Sequence, residues 1–334
     1  MIGAGAFGRN HARIYHELAQ QGEPVRLVGV VDSNPAHADA AAREFRCRSF
    51  GSVDQLITTH SEIQAASVAV PTVRHLEVAR TLLEAGVDVL VEKPLAASLA
   101  EADELIRLAQ SLGRIGQTGH LERFNPAVRA TAPLITHPMF FEVHRLSIFT
   151  PRSLDVDVIL DLMIHDLDVV LSLVHSPVTE IRAVGLPILS RKTDIANVRM
   201  EFGSGCVANF TASRVSTERV RKLRFFQPQQ YVSLDYGRQD VLVFSVGGQG
   251  DAGGDPSVNP QIKVAKPPVV LEEPLRAEIK SFLDSVRARS RPVVSFEDGR
   301  RALALALDIV GAIEEHGKRI QIDELRHRSR AKTT

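Results

Sequence analysis

The chain of 334 residues reads as an α/β fold, a doubly wound parallel sheet, followed by an α+β domain on a large open, mainly antiparallel sheet. Three observations predict this. A glycine triplet, Gly3, Gly5 and Gly8, opens the chain just before an amphipathic stretch of helical length. From there to about residue 120, short β-branched runs alternate with segments of helical spacing, as repeated βαβ units require. Beyond residue 120, strand-like stretches follow one another with few helices between them, the mark of antiparallel pairing. The first domain is therefore placed at 1–121 and the second at 122–334. At about 100 to 200 residues per domain, two is also what the length implies.

In the first domain, the apolar runs at 25–31, 65–70 and 87–91 are of buried-strand length, and residues 11–20, 36–45, 75–85 and 99–111 carry apolar side chains at helical spacing. Ser98 followed by Glu101 is a capping box for the last of these helices. In the second domain, strands are expected at 139–148, 181–189, 195–202, 206–213 and 231–236. Helices are expected at 155–174, 274–289 and 296–316. The Gly, Pro, Asp and Asn content of 246–268 reads as a long flexible excursion, and the Arg-rich tail after Leu325 as a frayed terminus.

Composition bounds the function. Lys plus Arg number 40 and Asp plus Glu 40, so no net field draws the chain toward nucleic acid or anionic lipid. No apolar run approaches the roughly 18 residues of a membrane helix, and no secretory signal is recognisable. With only Cys47 and Cys206 as cysteines, a cytoplasmic protein is expected. Tryptophan is absent and aromatics are 5%, which counts against a ring-lined polysaccharide surface; a bound sugar would sit in a pocket.

Gly3, Gly5 and Gly8, with Ala6 and Phe7 between the last two, form G-x-G-x-x-G at a helix start. The first glycine permits a tight turn, the second lets backbone approach a pyrophosphate, and the third allows close helix-to-strand packing, as in a Rossmann dinucleotide site. Asp32 ends the run VGVVD, where a carboxylate can accept from a ribose hydroxyl. The competing reading makes Asp32 a helix cap, a role Ser33 or Asn34 could fill equally well. A carboxylate there repels a 2′-phosphate and no Arg follows at once, so the expected cofactor is NAD, not NADP. Only Met1 and Ile2 precede the glycines, a stub for a mid-sheet strand; the expectation is a native chain that starts upstream, the alternative a fold that tolerates the stub.

Glu92, Lys93 and Pro94 follow the run 87–91, at the strand end where open α/β sheets bind ligands. A cation at Lys93 can bond both a nicotinamide ribose and a substrate hydroxyl; the competing reading is a surface Lys before a Pro turn. In the predicted helix 155–174, Asp161, His165 and Asp168 interrupt an apolar run at spacings of four and three. At about 100° per residue they share one face within roughly 60°. A His between carboxylates can act as a general base with a fixed tautomer; it can equally be a satisfied core histidine. No metal is expected, since one His and two carboxylates without a nearby Cys make a poor ligand set.

The segments GAGAFGRNH, PTVRH at 71–75, EKPLA, GHLERFNP and DxxxHxxD, in this order, resemble the Gfo/Idh/MocA family of NAD(P)-dependent oxidoreductases over nearly the whole chain. The resemblance implies a Rossmann domain followed by an α+β domain whose open sheet mediates oligomerisation, hence a homodimer or homotetramer. It implies that Lys93, Asp161 and His165 are catalytic. Many members carry Gly where this chain has Met163, a swap that can narrow the pocket without removing a reacting group. It further implies that Pro71, Thr72, His75, Glu92 and Lys93 line the nicotinamide side, although Thr72 could instead start a helix.

Within the family, DLMIHDLDVVLSLV, GCVANFTASRVS and RKLRFFQPQQYVSLDY look most like members that oxidise the 3-hydroxyl of UDP-N-acetylglucosamine in lipid A precursor synthesis. By that resemblance NAD takes hydride from C3, His165 takes the hydroxyl proton, Lys93 steadies the oxyanion, and Asp161 orients the base and grips a neighbouring hydroxyl. The keto sugar would pass to an aminotransferase. His120, Arg123, Asn125 and Arg214, with Lys222, are further candidates for substrate contact, guanidinium suiting a diphosphate. Structural ion pairs or subunit contacts compete with that role for each. Other readings are a dehydrogenase of UDP-N-acetylglucosaminuronate or inositol, and a dinucleotide-sensing protein without turnover.

Overall fold

The computed structural model describes residues 1–150, 155–246 and 262–320. The chain falls into two units, Met1–Phe124 with Glu272–Leu303, and Asn125–Leu271 with Ala304–Thr334. The first begins with α1 (Ala6–Gln20), β1 (Gly29–Val31), α2 (Pro35–Glu44), β2 (Arg48–Phe50), α3 (Val53–Thr59) and β3 (Ala65–Val68). It continues with α4 (His75–Glu84), β4 (Asp88–Glu92), α5 (Leu99–Ser111) and β5 (Gly116–Gly119). β1 pairs parallel with β2, and β3, β4 and β5 form a second parallel set. Ile2 joins the sets, bridging Val31 on one side and Val68 on the other, both parallel. Its N–H donates to Ser67 O and its carbonyl accepts from Ala69 N–H, each at 2.8 Å. The short segment before the glycines thus holds the central strand position. β4 is buried at every residue, as a strand covered on both faces must be. The predicted strand at 25–31 pairs only over Gly29–Val31, because the neighbouring central position holds Ile2 alone. Half of the capping box forms: Ser98 Oγ accepts from Glu101 N–H at 3.3 Å, while the Glu101 carboxylate reaches one residue further back and accepts from Ala97 N–H at 3.0 Å.

The second unit comprises α6 (Pro126–Thr131), β6 (Phe140–Ile148), α7 (Ile164–Leu173), β7 (Val178–Leu186), β8 (Ile195–Phe202) and β9 (Val207–Ser216). β10 (Val220–Gln227), β11 (Gln230–Asp235), β12 (Asp240–Val246) and β13 (Ile262–Ala265) follow. The eight strands lie in the order β13-β12-β11-β10-β6-β9-β8-β7, antiparallel except for the central β6–β9 pair. One face buries Phe141, Val143, Phe210, Phe225 and Val232. Phe140, Phe226, Tyr231 and Phe244 form an aromatic row across four strands, with successive ring centroids 5.7, 4.8 and 5.3 Å apart. Residues 246–268, expected to carry no element, contain β13, whose Ile262–Ala265 backbone extends the ladder from β12. The glycine-rich stretch 247–258 and the tail after Leu325 lie outside the described residues.

The expected helix 155–174 is not uniform. Ile159–Met163 is a π-helical turn and α7 begins only at Ile164. The chain then departs from the expected boundary, since α8 (Pro274–Ala288) belongs to the first unit. Its Leu275, Ile279 and Leu283 pack on Ile14, Tyr15 and Leu18 of α1, an apolar match that overrides sequence order. The division between units falls within α9 (Phe296–Arg319). No helix among the described residues is long and apolar enough to cross a membrane.

Candidate functional site

In the first unit the glycine loop is shaped by contacts a side chain would violate. Gly3 has φ +91°, and a Cβ there would come within 2.4 Å of Ala69 O. A Cβ on Gly8 would lie 1.9 Å from Gly3 O, so only glycine lets α1 press against the turn. A Cβ on Gly5 would meet nothing within 4 Å. Gly5 is the N-cap of α1 and no side chain caps that end. Unfilled space over an uncapped helix N-terminus is where a diphosphate binds. Asp32 Oδ2 accepts from Ala4 N–H at 2.7 Å and Oδ1 from Asn34 N–H at 2.8 Å, tying the loop to the end of β1. The cap of α2 is Asn34, whose side chain accepts from Ala36 N–H at 3.0 Å, so the cap reading of Asp32 falls away. A cleft of about 500 Å³ runs past Gly3, Gly5, Asp32, Asn34, Pro71 and Arg74. These features fit a dinucleotide. Ala6 and Phe7 are exposed at the start of α1, and Phe7 meets His11 edge-on at 5.4 Å.

At the far end of β4, Lys93 is half-buried. His75 is buried, with Nδ1 3.0 Å from Pro94 O and Nε2 3.0 Å from Val70 O. Burial holds its pKa below the ordinary histidine value, against the pull of these carbonyls. Thr72 is half-buried in the 3-10 turn Thr72–Arg74, where no side chain caps the turn. Glu92 is buried and accepts at Oε1 from His11 Nε2 at 3.0 Å. His120, fully buried, is pushed down to about 3, first by desolvation and then by the positive charges of Lys93 and Arg123.

In the second unit the π turn carries Asp161, and α7 carries His165, Asp166 and Asp168. The wider turn shifts Asp161 off the phase assumed at 100° per residue, and π turns recur at functional sites. Asp161 and His165 are half-buried, whereas Asp168 is 1% exposed, so the three do not share one environment. The segment entering the turn is tied down by Val158 N–H on Thr193 O and Thr193 N–H on Asp157 Oδ1, each 2.9 Å. Arg214 donates from Nη1 to Val156 O at 2.7 Å and from Nε to Asp194 Oδ1 at 2.8 Å. Burial raises the Asp194 pKa, but Ser190 and Leu189 N–H, the Ser190 hydroxyl and Arg214 outweigh it and hold the carboxyl well below the usual range. Arg214 is therefore held in a structural ion pair, the competing reading of that residue.

Asp166, which the sequence did not single out, pairs bidentately with Arg145 at 2.6 and 2.9 Å, both side chains buried, with Arg145 5.1 Å from the Tyr236 ring centroid. Asn125 caps α6 and donates to Tyr236 O at 3.1 Å. Arg123 donates to Val293 O at 3.3 Å, and Lys222 stands opposite His144 in the β10–β6 ladder. His11, Asp166 and Asp194 had no readable signal of their own, because the partners of the first two lie 81 and 21 residues away and the cap at Asp194 is loop geometry.

Residues 1–120 match the oxidoreductase family with an NAD-binding Rossmann fold, and residues 127–228 match the GFO/IDH/MocA C-terminal domain. The chain belongs to the Gfo/Idh/MocA oxidoreductases. It is 38% identical over 94% of its length to UDP-N-acetylglucosamine 3-dehydrogenase of Acidithiobacillus ferrooxidans, covering 96% of that protein. The solved structure of that enzyme superposes with a TM-score of 0.85 at 37% identity, over 94% of this chain and 96% of that one. The scyllo-inositol 2-dehydrogenase (NAD(+)) of Bacillus subtilis is 26% identical over 65% of this chain and 67% of that protein. As a Gfo/Idh/MocA oxidoreductase, the chain is an NAD-dependent enzyme acting on CH–OH groups.

Proposed function

We propose that the protein oxidises the 3-hydroxyl of UDP-N-acetylglucosamine to the ketone with NAD. The observation that carries this is the match to UDP-N-acetylglucosamine 3-dehydrogenase across both units, with 94% of the chain covered. When bound, NAD accepts the hydride from the carbinol carbon. His165, half-buried at the start of α7 just past the π turn, takes the hydroxyl proton. Asp161 orients that base and accepts from a neighbouring sugar hydroxyl. Lys93, at the end of β4, donates to the oxygen as its negative charge develops. Arg123 and His120 belong to the same unit as Lys93, His120 as a fully buried ring whose pKa the Lys93 charge helps to lower. The product is a ketone that a downstream aminotransferase consumes, in the cytoplasm, with lipid A precursors as the destination. The outward aromatic row on the second unit's sheet supports assembly into a homodimer or homotetramer.

The test is NADH formation at 340 nm with UDP-N-acetylglucosamine, its uronate and inositol side by side, with NADP in place of NAD as a further arm and an aminotransferase present to drain the ketone. Turnover of UDP-N-acetylglucosamine with NAD is expected. Turnover of only the uronate or inositol would overturn the substrate, and equal use of NADP would overturn the role of Asp32.

A further inference from the structure

The segment carrying Lys93 is braced from two sides within the first unit. Beyond it, His75 Nδ1 meets Pro94 O at 3.0 Å. Before it stands Glu92, whose two carboxylate oxygens have different tasks. Oε1 is 3.0 Å from His11 Nε2, and Oε2 accepts from the Lys93 backbone N–H at 3.3 Å. Gly119 makes room for this carboxylate, since a Cβ there would come within 2.6 Å of Oε1. His11 lies in α1, the helix whose uncapped N-terminus faces the cofactor cleft. Its side chain is 0% exposed and its Nδ1 has no hydrogen-bond partner.

That orphan nitrogen fixes the ring's state. A doubly protonated ring would bury an N–H donor with nothing to accept it, the costlier kind of unmet group. A neutral ring protonated at Nε2 donates to Glu92 and leaves only a bare lone pair at Nδ1. The carboxylate accepts, and one of its oxygens remains for the Lys93 backbone.

We infer that His11 is a positioning residue: through Glu92 it ties the cofactor-gripping helix to Lys93 and so sets that lysine's place in the reaction. The inference rests on the dehydrogenase reading. The connection runs from the turn that binds diphosphate, through one side-chain pair 81 residues apart in sequence, to the backbone of the residue that meets the reacting oxygen. A misplacement of about 1 Å at such a group can cost on the order of 10²-fold in rate.

The test compares the wild type with His11→Leu and His11→Gln, measuring kcat, KM for the sugar and NADH affinity. The chain contains no tryptophan, so the fluorescence of NADH itself reports binding against a dark background. His11→Leu removes the donor; the amide of Gln can supply one at nearly the reach of Nε2. The expected result is a fall in kcat of roughly 10- to 100-fold for His11→Leu, with KM and NADH affinity changed less than about 3-fold and kcat mostly recovered in His11→Gln. In parallel, ¹⁵N NMR of the wild type should show His11 neutral and protonated at Nε2. Full kcat in His11→Leu, or no recovery in His11→Gln, overturns the inference. So does a loss of NADH affinity that matches the loss of kcat, which would make His11 a plain structural support. A His11→Leu protein that does not fold leaves His11→Gln and Glu92→Gln to decide it. His11→Gln should then keep most of the wild-type kcat, and Glu92→Gln should lose it; any other pair of results overturns the inference. If the wild type turns over no sugar at all, the dehydrogenase reading has failed, and the positioning role goes with it.

Discussion

Replacing Arg145 by Met isolates the buried ion pair behind the π turn. Methionine matches the aliphatic stem of arginine but leaves the Asp166 carboxylate, 1% exposed, without the guanidinium now held at 2.6 and 2.9 Å. The carboxyl must then stay charged while buried and short of that guanidinium, or take a proton. Protonating a carboxyl of ordinary pKa, about 3.9, costs about 4 kcal/mol at pH 7, at about 1.36 kcal/mol per pH unit. That sets a ceiling, consistent with the roughly 3–5 kcal/mol seen when one partner of a buried pair is removed. At roughly 2–4 °C per kcal/mol for a domain of this size, the Tm should fall by about 8–16 °C. The sign with pH follows. In the variant the folded carboxyl titrates above its unfolded value, so the penalty is full at neutral pH and shrinks as pH falls toward the unfolded pKa. At pH 5 the same reckoning leaves about 1.5 kcal/mol. Thermal scans of wild type and Arg145→Met at both pH values measure this, with the double variant Arg145→Met/Asp166→Leu expected to recover most of the loss. A cost below about 1 kcal/mol at pH 7, or one equal at the two pH values, would refute the account of Asp166 as a buried charge held by Arg145.

Two further outcomes follow from the first unit. Gly8→Ala puts a methyl 1.9 Å from Gly3 O, so α1 must back away by about 1.5 Å; both Tm and NADH affinity should fall, by about 1–3 kcal/mol in stability, whereas Gly5→Ala, which meets no protein atom, should keep its Tm and lose NADH affinity in a fluorescence titration. His120, held down to about 3 by burial and by Lys93 and Arg123, stays neutral while the unfolded chain protonates below about pH 6.5, so it contributes a loss of stability of about 1.4 kcal/mol per pH unit as pH falls from there; His120→Gln should flatten that slope in denaturant melts.

Local chemistry made much of the fold legible. Leu99–Ser111 is bounded as its cap and apolar spacing predict, and Ile195–Phe202 alternates buried and outward residues as its sequence does. Where a partner elsewhere in the chain decides the matter, sequence reading fails. Gly116–Gly119, with two glycines in four residues, lies outside the strands expected from the sequence, yet it is a strand because β4 pairs with it and the Phe296 ring fills the space beside Gly116. Val220–Gln227 hides its alternation among Arg221, Lys222 and Arg224, although Leu223 and Phe225 are fully buried. The candidate site divides the same way. The glycines, Asp32, Lys93, Asp161 and His165 stand in short motifs. The π turn that offsets Asp161 breaks the uniform period that sequence reading assumes, and the braces His11–Glu92 and Arg145–Asp166 join residues far apart in sequence.

The first unit is written in two instalments, Met1–Phe124 and Glu272–Leu303. On the ribosome, Ile14, Tyr15 and Leu18 emerge long before the Leu275, Ile279 and Leu283 that cover them. At about 5–20 residues per second, the roughly 260 residues between them keep that apolar patch waiting about 13–52 s for its cover. The nucleotide-binding half of the protein is thus translated first but cannot close until its second segment is made, and nascent chains shorter than about 290 residues carry that patch uncovered.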